Sequence, residues 1–318
     1  MKQSNKPIAH HITDFIDYLE IEKGLSNKTQ ENYARFLKRF TEWLDLSKLS
    51  NLLPHELTAD QIWQYRLYLS RGTKSRKNAQ ELKKNTQNYY LIALRGLLNY
   101  FADKDITTLP AEKIKLAKTK KENSIHFLKL EQVKRLLDAP ESDLAGLRDK
   151  SVLETLFSTG LRVSELVALN KDQFKLKGDL KVYELTVIGK GQKQRTIYFS
   201  GRAIKSLINY LEKRDDFDPS LFINYGRGCE KLDSRRLSVR SVEKIIKKYV
   251  KLAGLPINTT PHTLRHSFAT DLLNGGVDLR LVQEFLGHQS IQTTQIYTHV
   301  TNKQLRDVYL QHKENKSL

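Results

Sequence analysis

Through the first hundred positions, apolar residues recur at helical spacing. Ile8, Ile12, Phe15, Ile16 and Leu19 lie on one face at i, i+4, i+7, i+8 and i+11. Gly24 ends that helix and Ser26 offers a cap for the next, which carries Tyr33, Phe36, Leu37, Phe40 and Leu44. Thr58 caps a third helix with Ile62, Tyr65 and Leu69. A basic polar loop runs from Arg71 to Lys84, and a fourth helix spans about Thr86 to Phe101 with Tyr90, Leu91, Leu94, Leu97 and Leu98. Four amphipathic helices without strand signals predict a small helical domain over residues 1–105.

The pattern then changes. Residues 106–123 hold Pro110 and a crowd of lysines, Lys113, Lys115, Lys118, Lys120 and Lys121, and read as an extended basic linker with little to bury. Residues 124–318 read as a second, mixed domain. Leu130–Leu137 and Leu147–Leu169 follow helical spacing, while Leu180–Ile188 alternates loosely and is rich in Val, Tyr and Thr, as strands are. Gly189-Lys190-Gly191 reads as a turn and Arg195–Phe199 as the returning strand. Helices resume at Arg202–Lys213 and Ser241–Ala253. Thr260 caps a helix with Pro261 at its first position, ended by Gly275-Gly276. Asp278 caps another that stops at Gly287, and Ser290 caps a third that carries Tyr297. The expected fold is mainly α with a small β-sheet in the second domain.

Charge narrows the function. The chain has 318 residues, with 54 Lys and Arg against 36 Asp and Glu, a net +18. The excess is shared, at +8 over residues 1–120 and +10 over 121–318. Such an excess suits a polyanionic partner, and nucleic acid is the commonest. The single cysteine, Cys229, excludes a disulfide framework and a cysteine-based zinc cluster. The longest apolar stretch, Tyr89–Ala102, is interrupted by Arg95, Gly96 and Asn99, so no run approaches the roughly 20 residues of a membrane span. The first residues lack the apolar core of a secretory signal. A soluble, cytoplasmic protein is expected.

A set of polar residues calls for more than a fold. Arg162 follows a glycine turn and opens an apolar helix, with Glu165 on the same face at i+3. His262 and Arg265 share a face by the same spacing in His262-Thr-Leu-Arg-His266. His288 follows the capping Gly287, Tyr297 comes nine residues later, and Lys190 sits at the hairpin tip. Singly, each has an ordinary reading: a surface ion pair, a structural histidine, a solvated turn, a core tyrosine. Together they suit phosphodiester transfer without a metal. Two guanidiniums can fork the non-bridging phosphate oxygens, a tyrosine can attack phosphorus, and a lysine can protonate the leaving oxygen. No acidic cluster at divalent-metal spacing stands out. His262 and His266 are i, i+4, but Arg265 between them would repel a zinc ion.

The runs Thr159–Leu166, Gly189–Arg195, His262–Thr270 and Leu286–Val300 resemble the tyrosine recombinase (phage integrase) family over the whole two-domain chain, most like its Xer branch. The resemblance implies a helical core-binding domain that clamps DNA and an α+β catalytic domain. It implies Tyr297 as the nucleophile forming a 3′-phosphotyrosyl link, and Arg162 and Arg265 gripping the scissile phosphate. Lys190 would protonate the 5′ oxygen, His288 would hydrogen-bond a phosphate oxygen, and His262 would take or share the tyrosyl proton. Glu165 would orient its neighbours. No cofactor is implied. A free tyrosine has a pKa near 10, so its deprotonation at pH 7 costs about 4 kcal/mol, which neighbouring cations must partly offset.

Some positions depart from the family pattern. Gln192 and Gln194 replace more usual charged residues, which leaves Lys193 as a rival general acid. Asp271 stands where relatives often have His. His266 and His299 read as structural, and Tyr309 lacks the motif that surrounds Tyr297. Residues 303–318 read as a helix and polar tail, with Leu305, Val308 and Tyr309 as a face for docking on a neighbouring protomer. The expected partners are double-stranded DNA with paired half-sites, a tetramer on two duplexes, with or without a sister recombinase, and a DNA-translocase regulator; no membrane is expected. The expected biology is resolution of chromosome dimers at cell division. Three other readings remain: an integrase or resolvase of a phage, transposon or plasmid; an inactive architectural DNA-binding protein; and a topoisomerase sharing the chemistry. No arm-binding domain is expected ahead of the first helix, an expectation that favours the Xer reading or a simple mobile-element enzyme.

Overall fold

A computed structural model describes residues 2–71, 82–118, 126–175, 180–189, 193–226, 228 and 234–287. Two compact units divide the chain, Met1–Glu122 and Asn123–Leu318.

The first unit is helical among its described residues. Helices α1 (His11–Ile21), α2 (Asn27–Leu46), α3 (Ala59–Arg71) and α4 (Lys84–Asp103) occupy the stretches that the apolar spacing predicts. Their buried faces form one core around Phe15, Leu37, Phe40, Tyr65, Leu94 and Phe101. Thr58 and Gln61 close a reciprocal cap on α3: Gln61 N–H donates to Thr58 Oγ1 (3.2 Å) and Thr58 N–H to Gln61 Oε1 (2.8 Å). Ser26 stands at the cap of α2, but its hydroxyl meets that of Thr29 rather than a backbone N–H. Most of the basic loop expected between Arg71 and Lys84 lies outside the described residues.

Residues 106–118 overturn the expectation of a free linker. Ile106, Ala111 and Ile114 are buried in the helical core, and Leu109 and Leu116 lie against it. The backbone is fastened as well: Arg66 Nη1 donates to the Lys115 carbonyl (2.7 Å), and the Asn88 amide pairs with both polar groups of Ala117 (2.9 Å each). Apolar residues alternate here with the lysines, so one side is sunk while the charges face water.

The second unit centres on α6 (Leu144–Thr159), buried on nearly every face. Around it lie α5 (Leu130–Asp138), α8 (Gly201–Leu211), α9 (Val239–Leu252), α10 (Pro261–Asn274) and the hairpin of β1 (Val182–Ile188) and β2 (Gln194–Ser200). The strands are antiparallel, with Val187 opposite Arg195 and Leu185 opposite Ile197. Inside this unit Asp149 takes Arg148 on one oxygen and Tyr249 Oη on the other (2.9 Å). The helical stretch expected from Leu147 to Leu169 divides at the glycine turn before Arg162. Gly160 adopts a left-handed φ of 60° and ends α6, and a separate helix, α7, runs from Val163 to Ala168. Thr260 caps α10, with Pro261 in its first turn, and Asp278 caps α11 (Leu279–Leu286), which stops at Gly287 with φ 61°. Among the described residues no helix is long and apolar enough to cross a membrane. The helix expected to carry Tyr297 and the tail from Lys303 lie outside the described residues.

Candidate active site

Four chain breaks converge in the second unit: the end of α6, the start of α7, the first turns of α10 and the end of α11. Gly160 makes the first possible. A Cβ there would come within 2.5 Å of Phe268 and 3.2 Å of Leu286, and its positive φ already disfavours a side chain. Two residues on, Arg162 caps α7 in extended backbone geometry. Its N–H donates to Glu165 Oε2 (2.8 Å) and its Nη1 to Glu165 Oε1 (3.0 Å), so the carboxylate holds both ends of the residue.

Arg265 enters from α10 and is buried. Its guanidinium donates to the carbonyls of Gly160 and Leu286. Arg162 Nη2 donates to the next carbonyl, that of Gly287 (3.3 Å). The two guanidiniums therefore rest on consecutive peptide units at the end of α11, immediately before His288. Each fork offers five N–H donors, more than those carbonyls use.

His262 lies one turn before Arg265 and is exposed. Desolvation by the surrounding protein lowers its pKa, and repulsion from Arg265 and Arg162 lowers it further, against a pull upward from Glu243. Its ring is therefore neutral at pH 7 and able to accept a proton. His266, half-buried, is depressed to about 4 by burial, His262 and Arg265. Asp271 sits on the exposed side of α10, its carboxyl raised by desolvation.

One participant was passed over in the sequence. Arg195 of β2 makes a two-pronged ion pair with Glu165, Nη1 to Oε1 (3.0 Å) and Nη2 to Oε2 (2.6 Å). Burial pushes the Glu165 carboxyl up, but hydrogen bonds from Arg195 and Arg162 outweigh it and hold the group below its ordinary range. The signal was present: Arg195 shares a strand face with Ile197 and Phe199, both buried, so an arginine occupies an inward register position.

The structure thus brings together Arg162, Glu165, His262 and Arg265. Lys190, His288 and Tyr297 lie outside the described residues, as do Gln192, His299 and Tyr309. The hairpin that carries Lys190 is closed by Gly189 N–H donating to the Lys193 carbonyl (2.7 Å), and Lys193 is exposed. Among the described residues no group of three His, Cys, Asp or Glu is placed to hold a metal ion.

Comparison with known proteins adds the lineage. Residues 126–304 match the model of the phage integrase family, and residues 12–105 match that of the phage integrase N-terminal SAM-like domain. The chain belongs to the phage integrase family. Within that family it is a tyrosine recombinase most like the Xer enzymes. It is 35% identical to tyrosine recombinase XerD of Staphylococcus epidermidis, over 94% of this chain and 97% of that one. It is 34% identical to tyrosine recombinase XerC of Syntrophus aciditrophicus, over 94% of this chain and 95% of that one. The recombinase also shares its fold with the XerH site-specific recombinase bound to palindromic difH substrate, at a TM-score of 0.74 and 23% identity over 97% of each chain.

Proposed function

We propose that this chain is a site-specific recombinase of Xer type that cuts and rejoins DNA through a 3′-phosphotyrosyl intermediate. The observation that carries the reading is the meeting of Arg162 and Arg265 on consecutive carbonyls, 286 and 287, beside a histidine that is neutral at pH 7. Such a pair suits one anionic phosphate, whose charge grows as phosphorus becomes five-coordinate.

In the proposed cycle Tyr297 Oη attacks the scissile phosphorus and its proton passes to His262. The bond from phosphorus to the 5′ oxygen breaks, and Lys190 donates a proton to that oxygen. Arg162 and Arg265 hold the non-bridging oxygens, His288 hydrogen-bonds one of them, and Glu165 fixes Arg162. The freed 5′-hydroxyl of a partner strand then attacks the phosphotyrosyl and releases Tyr297. The link conserves the phosphodiester energy, so exchange needs neither ATP nor a metal.

The substrate is double-stranded DNA with paired half-sites, engaged by a tetramer on two duplexes, alone or with a sister recombinase and under a DNA translocase. The role is resolution of chromosome dimers in the cytoplasm at cell division. Relatives about 35% identical over nearly the whole chain carry Xer names, which favours this role over that of a mobile-element integrase. A nicked suicide duplex bearing the recombination site tests it. Wild type should form an SDS-stable protein–DNA adduct and Tyr297→Phe should form none. A wild type that binds the site but never forms the adduct, or an adduct that survives in Tyr297→Phe, overturns the reading.

A further inference from the structure

Glu165 is paired with more positive charge than its helix requires. The reciprocal cap of α7 needs only an acceptor at that position, and the Arg162 N–H supplies its donor. Yet each carboxylate oxygen accepts twice. Oε1 takes Nη1 of both Arg162 and Arg195, at 3.0 Å each. Oε2 takes the Arg162 N–H at 2.8 Å and Arg195 Nη2 at 2.6 Å. The Glu165 and Arg195 side chains are 8% and 9% exposed, while that of Arg162 is 29% exposed. The buried guanidinium therefore lies behind the carboxylate and the more open one in front.

The arithmetic of charge gives this order a purpose. Arg162 and Glu165 alone sum to zero, and a buried carboxylate with one partner would hold the Arg162 fork against an incoming phosphate. With Arg195 the trio carries one net positive charge, on the guanidinium open to solvent. Arg195 also packs on the residue that supplies the other support of Arg162: a Cβ on Gly287 would fall 2.8 Å from Arg195 Cδ, so the glycine leaves room for the Arg195 side chain beside it.

We infer that Arg195 is a positioning residue for DNA cleavage, which neutralises Glu165 from behind so that Arg162 presents its charge and its fork to the scissile phosphate. The inference rests on the proposed recombinase chemistry. A purely structural role for Arg195 would be served by any well-packed partner of Glu165. A charge-sharing role makes the opposite demand: once Arg195 is lost, removing the carboxylate's charge should help.

The experiment measures single-turnover adduct formation on the suicide duplex at saturating DNA, with binding affinity and melting temperature taken beside it. Arg195→Gln should slow cleavage at least about tenfold while affinity changes less than about threefold, because bulk phosphate contacts persist. The double variant Arg195→Gln/Glu165→Gln should recover at least about threefold over Arg195→Gln, since glutamine still caps α7 and no carboxylate charge is left to offset that of Arg162. Arg195→Lys, which keeps the charge without the fork, should fall between wild type and Arg195→Gln, and it carries the test if Arg195→Gln fails to fold. The inference is overturned if Arg195→Gln cleaves within twofold of wild type, if the double variant is no faster than the single, or if the lysine variant is no faster than the glutamine one. Failure of wild type to form a Tyr297 adduct would instead sink the recombinase reading, and the two failures are distinguishable.

Discussion

Replacing a guanidinium in this site by an ammonium removes a fork, not a charge. Arg162→Lys and Arg265→Lys should each reduce cleavage on the order of 10²-fold with smaller effects on binding, read as adduct formed per turnover. Equal rates for lysine and arginine would discard the two-pronged grip. The proposed role of His262 as proton acceptor predicts an acid limit. The folded pKa of His262 lies below the ordinary 6.5, so the acid limb of cleavage at subsaturating DNA should be centred below pH 6.5. A limb centred above 6.5 would remove His262 as the proton acceptor. Arg162, Glu165, His262 and Arg265 were legible in the sequence because motif and helical spacing place them on shared faces. Arg195 was not given a role, because its meaning depends on a strand register and on a helix thirty residues away in sequence.

At the scale of elements, the turn that separates α6 from α7 is a single left-handed glycine. Gly160→Ala should cost about 2–4 kcal/mol, from backbone conformation and collision with Phe268 together, and should depress cleavage because Arg265 rests on that carbonyl. Urea unfolding checks the first part, and an unchanged midpoint would contradict it. The apolar pattern from Leu147 to Leu169 runs on through this turn, so periodicity alone hides the break; the glycine before Arg162 is what marked it in the sequence. The long helices of the first unit were legible for the converse reason: each has a wide apolar stripe and a polar remainder. Helix α10 adds a pH response. His266 has a pKa of about 4 when folded against 6.5 when free. The unfolded chain binds the proton first, so stability should fall as pH drops from 6.5 toward 4. The melting temperature of the full chain should follow that course, and His266→Gln should flatten it.

Across the whole molecule the net +18 divides as +8 and +10 between residues 1–120 and 121–318. Phosphate contacts from both units predict steep salt dependence. Affinity for duplex DNA should fall on the order of 10³-fold between about 50 and 200 mM salt, measured by titration at several ionic strengths. A slope about half as steep would mean that one unit contributes little, and a nearly flat one that neither unit makes many phosphate contacts. Composition made this plain, but it misjudged residues 106–118. Counting lysines concealed Ile106, Ala111 and Ile114, which sink between them into the helical core.

Arg162 and Arg265 lean on the peptide carbonyls of Gly287 and Leu286, and a carbonyl cannot be mutated away. Most binding partners of a functional side chain are themselves side chains and can drift under random substitution. Here the support is sheltered from drift, and the risk falls on one hydrogen atom, the one that stands at Gly287 in place of a Cβ. In a saturation scan, position 286 should accept Met or Ile with cleavage retained, while position 287 should accept nothing. Tolerance at these neighbouring positions would then differ because of the left-handed φ at Gly287 and the Arg195 side chain packed against it.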